Sequence, residues 1–300
     1  MPSTANHYES HSADTYEKAY FYEPGAYMKN LVSIVNQYLE LDKKVLIPSN
    51  ESRRLLDIGG GTGNFARALV QDNNVKLQVT VLEPFLEETK NHDLLATNDK
   101  VSFIKAPAEI FLATPSHEWR KQPFHQVLIK ETIHHIDEKS RVDILKAIYN
   151  ELQSFSKDST TPSILIVTRP QIEIDYPIWG AARNVWKQNQ PSVQQLTSEL
   201  MAAGFEDLNC TIEKYDSSIS LERWQGMVKN RFWSTFADFT DDELEKGCKE
   251  LAEERPPDEN GIIHFEDRLL FITGRKIVND EDCQTSEQKE YFADVISSEQ

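Results

Sequence analysis

The 300-residue chain holds only three cysteines, Cys210, Cys248 and Cys283, and they lie far apart. They offer neither the close spacing of a zinc site nor a disulfide framework, so a reducing compartment is expected. Basic residues are also scarce: 32 Lys and Arg face 49 Asp and Glu, a formal net charge of −17. That balance disfavours nucleic acid, whose binding needs clustered cations, and it disfavours an anionic membrane surface. No apolar run approaches the roughly 18 residues that a membrane span needs. Residues 1–20 are polar and acidic, without the basic flank and apolar stretch of a secretory signal. There is no internal repeat and no low-complexity block. These absences lead to the expectation of a soluble, cytoplasmic protein with no nucleic-acid or membrane partner, acting as a monomer or homodimer.

What is present suffices for a folded core: 39% of residues are hydrophobic, with 14 Phe, 5 Trp and 10 Tyr. The length suits one large domain or a domain with an attached lobe. Tyr8, Tyr16, Tyr20, Phe21, Tyr22 and Tyr27 form an aromatic entry segment. Leu31, Ile34, Val35, Tyr38 and Leu39 then recur at helical spacing. We expect this N-terminal unit, 1–50, to cover the site. Strand and helix patterns then alternate: strands over 53–58, 77–82, 101–105, 126–130 and 163–168, helices over 65–70, 85–95 and 140–155. Strands separated by helices predict βαβ units and a parallel sheet with helices on both faces. A helix over 192–203 closed by Gly204, a strand over 205–215, a mostly helical stretch over 221–251 and a last strand over 262–277 follow. The acidic tail, 278–300, has no pattern and is expected to be disordered.

The strongest chemical signal is the run Asp57-Ile58-Gly59-Gly60-Gly61-Thr62-Gly63-Asn64, set between a strand and a helix. Glycines there let the backbone turn sharply and approach a ligand that a Cβ would push away. The following helix N-terminus presents free N–H groups to a polar ligand. The Gly-Lys-Ser/Thr ending of a phosphate-binding P-loop is missing. Glu83 ends the next strand, 20 residues after Gly63. An acid at that place points into the crevice at the carboxyl ends of the strands, where it accepts from ribose hydroxyls. Nicotinamide enzymes and methyltransferases both use such an acid.

Taken together, Asp57 to Gly63 and Val81-Leu82-Glu83-Pro84 resemble the class I S-adenosylmethionine-dependent methyltransferases of small-molecule type. Phe103 to Glu109, Phe124 to His135 and Gly204-Phe205 resemble further segments of that family, and the likeness covers about residues 50–215 and 262–277. The resemblance implies a doubly wound, seven-stranded, mostly parallel α/β sheet, Rossmann-like, with the last strand inserted antiparallel. It implies a methyltransferase domain over 51–277 with a helical cap from insertions at about 171–195 and 217–260. S-adenosyl-L-methionine is the implied cofactor. Gly59, Gly60, Gly61 and Gly63 would line its methionine part, with Asp57 near the amino group. Glu83 would take the ribose hydroxyls, Pro84 and Phe85 would flank the adenine, and Ala108 and Glu109 would meet its edge. Lys130 would touch the cofactor through its backbone. Pro107 stands where many members carry Asp.

Methyl transfer is an in-line displacement at an activated carbon, so alignment and exclusion of water are the main demands. A base is needed only for an acceptor that carries a proton. His134 and His135, leaving the fourth strand, are the candidates. Two adjacent histidines do not readily face one ion, so no metal is expected. Arg169 ends the fifth strand and is a candidate for holding an acidic substrate group. Tyr22, Tyr27, Trp179, Trp186, Arg231 and Trp233 are candidates to close over a small-molecule acceptor. The signature of enzymes that methylate exocyclic amines is absent after the fourth strand. That absence, with the acidic balance, argues against DNA and most RNA substrates, while the cap resembles that of related small-molecule enzymes that methylate hydroxyl or carboxylate oxygens, so the resemblance favours such an oxygen over nitrogen or sulfur. The rivals are a nicotinamide-dependent oxidoreductase, against which Asp57 argues, and a non-catalytic protein that kept the fold.

Overall fold

The computed structural model describes residues 24–42, 52–73, 76–85, 100–112, 123–153 and 160–277. The expected helix 85–95 beyond Phe85, the segment before residue 24 and the acidic tail lie outside them. Helix α1, Pro24–Tyr38, comes first. Strand β1 (Arg53–Ile58) leads into α2 (Asn64–Asp72), then β2 (Leu77–Leu82) and β3 (Val101–Ile104). β4 (Gln126–Lys130), α3 (Glu138–Glu151) and β5 (Ile164–Thr168) complete the parallel part. Then come α4 (Gly180–Asn189), α5 (Val193–Ala203), β6 (Glu206–Ser220), α6 (Leu221–Lys229), α7 (Asp241–Glu254) and β7 (Ile262–Arg275).

The strands form one seven-stranded sheet in the order β3-β2-β1-β4-β5-β7-β6. The first five run parallel, and β7 enters antiparallel between β5 and β6. Both faces are covered, which is why β4 and β5 carry the apolar runs Val127-Leu128-Ile129 and Ile164-Leu165-Ile166-Val167, beside Leu55-Leu56 at the middle of β1. Alternation splits their side chains. Leu55, Leu128, Leu165 and Val167 face α1 and α2 together with Leu31, Val35 and Leu69. Leu56, Ile129, Ile164 and Ile166 face α3 and α5 together with Ile144, Ile148, Leu196 and Leu200. The register is fixed by burial, because a one-residue slip would turn each apolar set to the other face.

Local chemistry sets the helix ends. Asp137 accepts from the Lys139 amide and starts α3 two residues before the expected position. Ser192 caps α5, and Gly204 (φ +102°) closes it. The expected helical stretch 221–251 is broken: α6 ends where Arg231 takes a positive φ of +52°, and a capping box between Thr240 and Glu243 restarts the chain as α7.

The last two strands differ in length from expectation. β6 runs to Ser220, so residues 217–220 are strand rather than cap, and the helical insertion begins at Leu221. Thr168, the last residue of β5, sits opposite Leu270, whereas β6 and β7 stay paired out to Ser220 and Ile262. The hairpin therefore rises past the carboxyl edge of the sheet as a wall. The cap packs on it through a third apolar cluster that includes Tyr176, Trp179, Trp186, Trp224, Trp233 and Phe265.

Candidate active site

The glycine turn follows directly from β1. The Gly59 amide donates to the Leu82 carbonyl at 2.7 Å, and the Gly63 amide to the Gly60 carbonyl at 3.0 Å. Gly59, Gly61 and Gly63 take φ of +71°, +55° and +75°. A Cβ on Gly59 would lie 2.2 Å from Thr132 Oγ1, one on Gly60 2.4 Å from Asp57 Oδ2, and one on Gly63 2.5 Å from the Phe103 ring. On Gly61 it would meet nothing within 4 Å. Protein packs against three of the glycines, while Gly61 faces open space.

Acids bracket this turn. Glu83 Oε2 accepts from the Gly61 amide at 3.0 Å, and Oε1 from the Phe85 amide at 3.2 Å. Burial raises the Glu83 pKa, and the two amides pull it back. Asp57 is wholly buried, and neither of its oxygens has a hydrogen-bond partner among the described residues. Burial pushes its pKa up to about 6, with Lys130 opposing and Glu83 adding to the rise. The Lys130 ammonium lies 5.1 Å from the centre of the Phe65 ring, and burial lowers its pKa. A turn faced by open space, with an orphaned acid beneath it and a second acid beside it, fits the amino-acid and ribose parts of S-adenosylmethionine.

β4 leaves the sheet with Glu131 at φ +56°, a strained conformation for a residue with a Cβ. Its amide is held by the Val167 carbonyl and its carboxylate by Arg169. Thr132 then turns back, its hydroxyl 3.0 Å from the Lys130 carbonyl and 3.3 Å from that of Gly59. It fastens the glycine turn to β4. His134 and His135 follow in a short 3-10 turn with ring centres 4.0 Å apart. His134 Nδ1 is buried without a hydrogen-bond partner among the described residues. Burial, helped by His135 and Arg141, holds its pKa well below the usual histidine value.

Several expected substrate contacts are placed differently. Arg169 is not available to an acidic group: it pairs with Glu131, donates to the Tyr176 hydroxyl at 2.7 Å and lies 3.9 Å from Asp267. Trp179, Trp186 and Trp233 are buried in the cap core, where Trp186 donates to the Pro170 carbonyl and Trp179 stacks on Phe236. They close the cap on itself. Arg231 is turned to the Phe239 carbonyl and Asp241. Tyr27 packs edge-on against Tyr215 and hydrogen-bonds Asp267. Tyr22 lies outside the described residues. Ala108 is buried in a 3-10 turn at the sheet edge with Glu109 exposed beside it, and Pro84 and Phe85 follow Glu83.

Sequence reading missed Thr132, Tyr176 and Asp267. A signal for Asp267 was present: Ile263, Phe265, Asp267, Leu269 and Phe271 alternate as one buried face of β7, and only Asp267 is charged. Among the described residues no group of three or more His, Cys, Asp or Glu is placed to hold a metal ion. No described helix is long and apolar enough to cross a membrane.

No protein-family model matches the chain. Among solved structures, phosphoethanolamine N-methyltransferase 2 of Haemonchus contortus, bound to S-adenosyl-L-methionine, superposes with a TM-score of 0.52 at 18% identity. That superposition covers 92% of this chain and 60% of the other. The complex described with phosphomonomethylethanolamine and S-adenosylhomocysteine gives 0.50 at 16% identity, over 89% and 58%. The YcgJ protein of Bacillus subtilis gives 0.50 at 14%, over 84% and 99%. The chain has the class I methyltransferase fold. A curated methyltransferase, the pluviatolide O-methyltransferase of Sinopodophyllum hexandrum, is 31% identical over 111 residues, 35% of this chain and 30% of that protein. The chain thus matches less than a third of that relative and about three fifths of the Haemonchus enzyme. Within the methyltransferase fold, the glycine turn and Glu83 occupy the carboxyl ends of β1 and β2, the crevice where ligands bind in open α/β sheets.

Proposed function

We propose that the chain is an S-adenosylmethionine-dependent methyltransferase that methylates a hydroxyl oxygen of a small molecule. One observation carries the cofactor assignment: Glu83 reaches the amide of Gly61, the glycine that faces open space. From there the Glu83 carboxylate accepts from the ribose hydroxyls. The glycine amides approach the methionine part, and Asp57 supports its amino group from below. When bound, S-adenosylmethionine supplies an electrophilic methyl group.

The hydroxyl assignment rests on what lies beyond the turn. A carboxylate acceptor needs a free cation, and Arg169 is already matched by Glu131 and Asp267. A hydroxyl acceptor needs a base that is neutral at working pH. His134 is held neutral by burial, and its Nδ1 has no hydrogen-bond partner among the described residues. It accepts the hydroxyl proton as the oxygen takes the methyl group. The partial match to the Sinopodophyllum hexandrum O-methyltransferase supports oxygen, while the Haemonchus neighbour is named for nitrogen.

The test is transfer of a labelled methyl group from S-adenosylmethionine to fractionated metabolites, followed by identification of the labelled atom. Label on an oxygen is expected, with turnover about 10²-fold lower or worse in His134→Ala. Label on nitrogen or sulfur, or full turnover in both His134→Ala and His135→Ala, contradicts the assignment.

A further inference from the structure

Of the four described non-glycine residues with a positive φ, Glu131 is the one that stands beside the glycine turn. A strained backbone persists only where its surroundings hold it. Three contacts hold this one. The Glu131 amide donates to the Val167 carbonyl at 2.7 Å, Ile133 is fully buried two residues on, and the Glu131 carboxylate pairs with Arg169. The first two belong to the sheet and its core. The third does not.

The Arg169 guanidinium is itself fixed from the far side. Its Nε donates to the Tyr176 hydroxyl at 2.7 Å and lies 3.9 Å from Asp267 Oδ1 on β7. The rings of Tyr176 and Trp233 are each centred 5.5 Å from its guanidinium carbon, and the two rings meet edge-on at 4.9 Å within the cap core. The cap and the β6–β7 hairpin thus decide where the cation sits, and the cation decides where the Glu131 side chain goes. In the other direction Glu131 leads straight into Thr132. The Thr132 hydroxyl lies 3.0 Å from the Lys130 carbonyl and 3.3 Å from that of Gly59, and the Thr132 carbonyl accepts from the His135 amide at 2.8 Å. Thr132 and Gly59 are packed so closely that a Cβ on the glycine would fall 2.2 Å from the hydroxyl oxygen. A shift of Thr132 therefore moves the first glycine of the turn and the start of the histidine turn together.

We propose that Arg169 is a positioning residue that couples the cap to the glycine turn, acting through Glu131 and Thr132. What the turn holds rests on the methyltransferase reading; the coupling itself rests on these contacts alone. Tyr176, in the cap, then governs the shape of a turn with which it shares no printed contact, and it does so only while Arg169 is present.

The test is a cycle of Tyr176→Phe, Arg169→Met and the double variant in the full chain. Two quantities are read: hydrogen exchange in peptides covering 59–63 and 131–135, and calorimetric affinity for S-adenosylhomocysteine. Tyr176→Phe, which removes only the hydroxyl that Arg169 reaches, is expected to speed exchange in both peptides. Arg169→Met is expected to do so more strongly and to weaken S-adenosylhomocysteine by at least about fivefold. The double variant should match Arg169→Met, because Tyr176 acts through Arg169. Arg169→Lys, which keeps a cation for Glu131, should retain most of the protection in both peptides. If Arg169→Met folds poorly, Tyr176→Phe and Arg169→Lys carry the test through the same two readouts. Unchanged exchange in both peptides, additive effects in the double variant, or faster exchange spread evenly over the whole sheet overturns the proposal. Unchanged exchange is the outcome if Ile133 and the Val167 carbonyl suffice to hold Glu131. If S-adenosylhomocysteine does not bind the parent while exchange in the two peptides still follows the cycle, the methyltransferase reading fails and the coupling stands.

Discussion

The carboxylate of Glu83 and the amide of Gly61 meet at 3.0 Å, joining the tip of β2 to the one glycine in the turn whose missing side chain opens onto free space. Glu83 thereby holds the turn in shape and keeps acceptor capacity at the place where a ribose would lie. The relationship separates two kinds of glycine. Gly61→Ala would put a methyl into open space at a φ of +55°, costing about 1–2 kcal/mol in backbone strain, and should lower S-adenosylhomocysteine affinity far more than stability. Gly63→Ala would drive a methyl to 2.5 Å from the Phe103 ring and should lower both. Calorimetric titration beside thermal unfolding checks the pair. Equal loss of stability in the two variants contradicts the distinction.

Asp57 makes folding depend on pH. Its carboxyl has a pKa of about 6 in the fold against an ordinary 3.8, because burial disfavours the charge. The folded state then holds a proton that the unfolded chain releases, so stability falls as pH rises from about 4 to about 6. The full effect is on the order of 3 kcal/mol. Asp57→Asn removes this term. Relative to the parent, the variant should gain stability across that window, hold the gain above it, and show none below about pH 4. Unfolding midpoints in denaturant at several pH values test this. A difference that does not change with pH contradicts it.

The cap depends on a close approach at Gly247. A Cβ there would lie 2.4 Å from the Trp179 ring, inside a helix with no positive φ to excuse it. Gly247→Ala should therefore destabilise by about 1–3 kcal/mol through overpacking, although alanine is the better helix former. Cofactor affinity should change little, because a Cβ on Gly247 would meet the Trp179 ring and no residue of the glycine turn. Denaturant unfolding with a parallel titration reads both, and a more stable variant would show that Trp179 yields easily.

Behind the sheet, Arg141 and Glu199 form a buried two-pronged pair between α3 and α5, with Nη1 3.0 Å from both carboxylate oxygens. Glu199→Ala would leave the guanidinium buried without its carboxylate, held by the Ile136 carbonyl on Nη2, and should destabilise by about 3–5 kcal/mol. Glu199→Met with Arg141→Leu should recover much of that loss. Denaturant midpoints of the single and double variants decide whether the pair stabilises or only compensates itself.

The glycine turn, Glu83 and the alternation of strands and helices were legible in the sequence because each rests on local chemistry: a turn that excludes Cβ, an acid at a strand tip, runs buried on both faces. The cap was harder to read. Trp179, Trp186 and Trp233 suggest a binding surface by residue type, but in a lobe built of helices they supply the core, and periodicity does not separate the two uses. Arg169 was placed at the correct rim and given the wrong partner, because Asp267 is 98 residues further along the chain and meets it only through the β7 register. The length of β6 was missed for a similar reason. Its pairing with β7 carries it past the point where its own apolar pattern stops, as its exposed and half-buried residues show.

The central claim is a cradle for an adenosyl cofactor formed by the glycine turn and Glu83. Isothermal titration of S-adenosylhomocysteine and of NADH into the parent chain and into Glu83→Ala tests it most directly. S-adenosylhomocysteine should bind the parent, NADH should not, and Glu83→Ala should weaken binding by roughly 1.5–3 kcal/mol, about one to two powers of ten. Binding of NADH in place of S-adenosylhomocysteine, or equal affinity in the variant, would contradict the account.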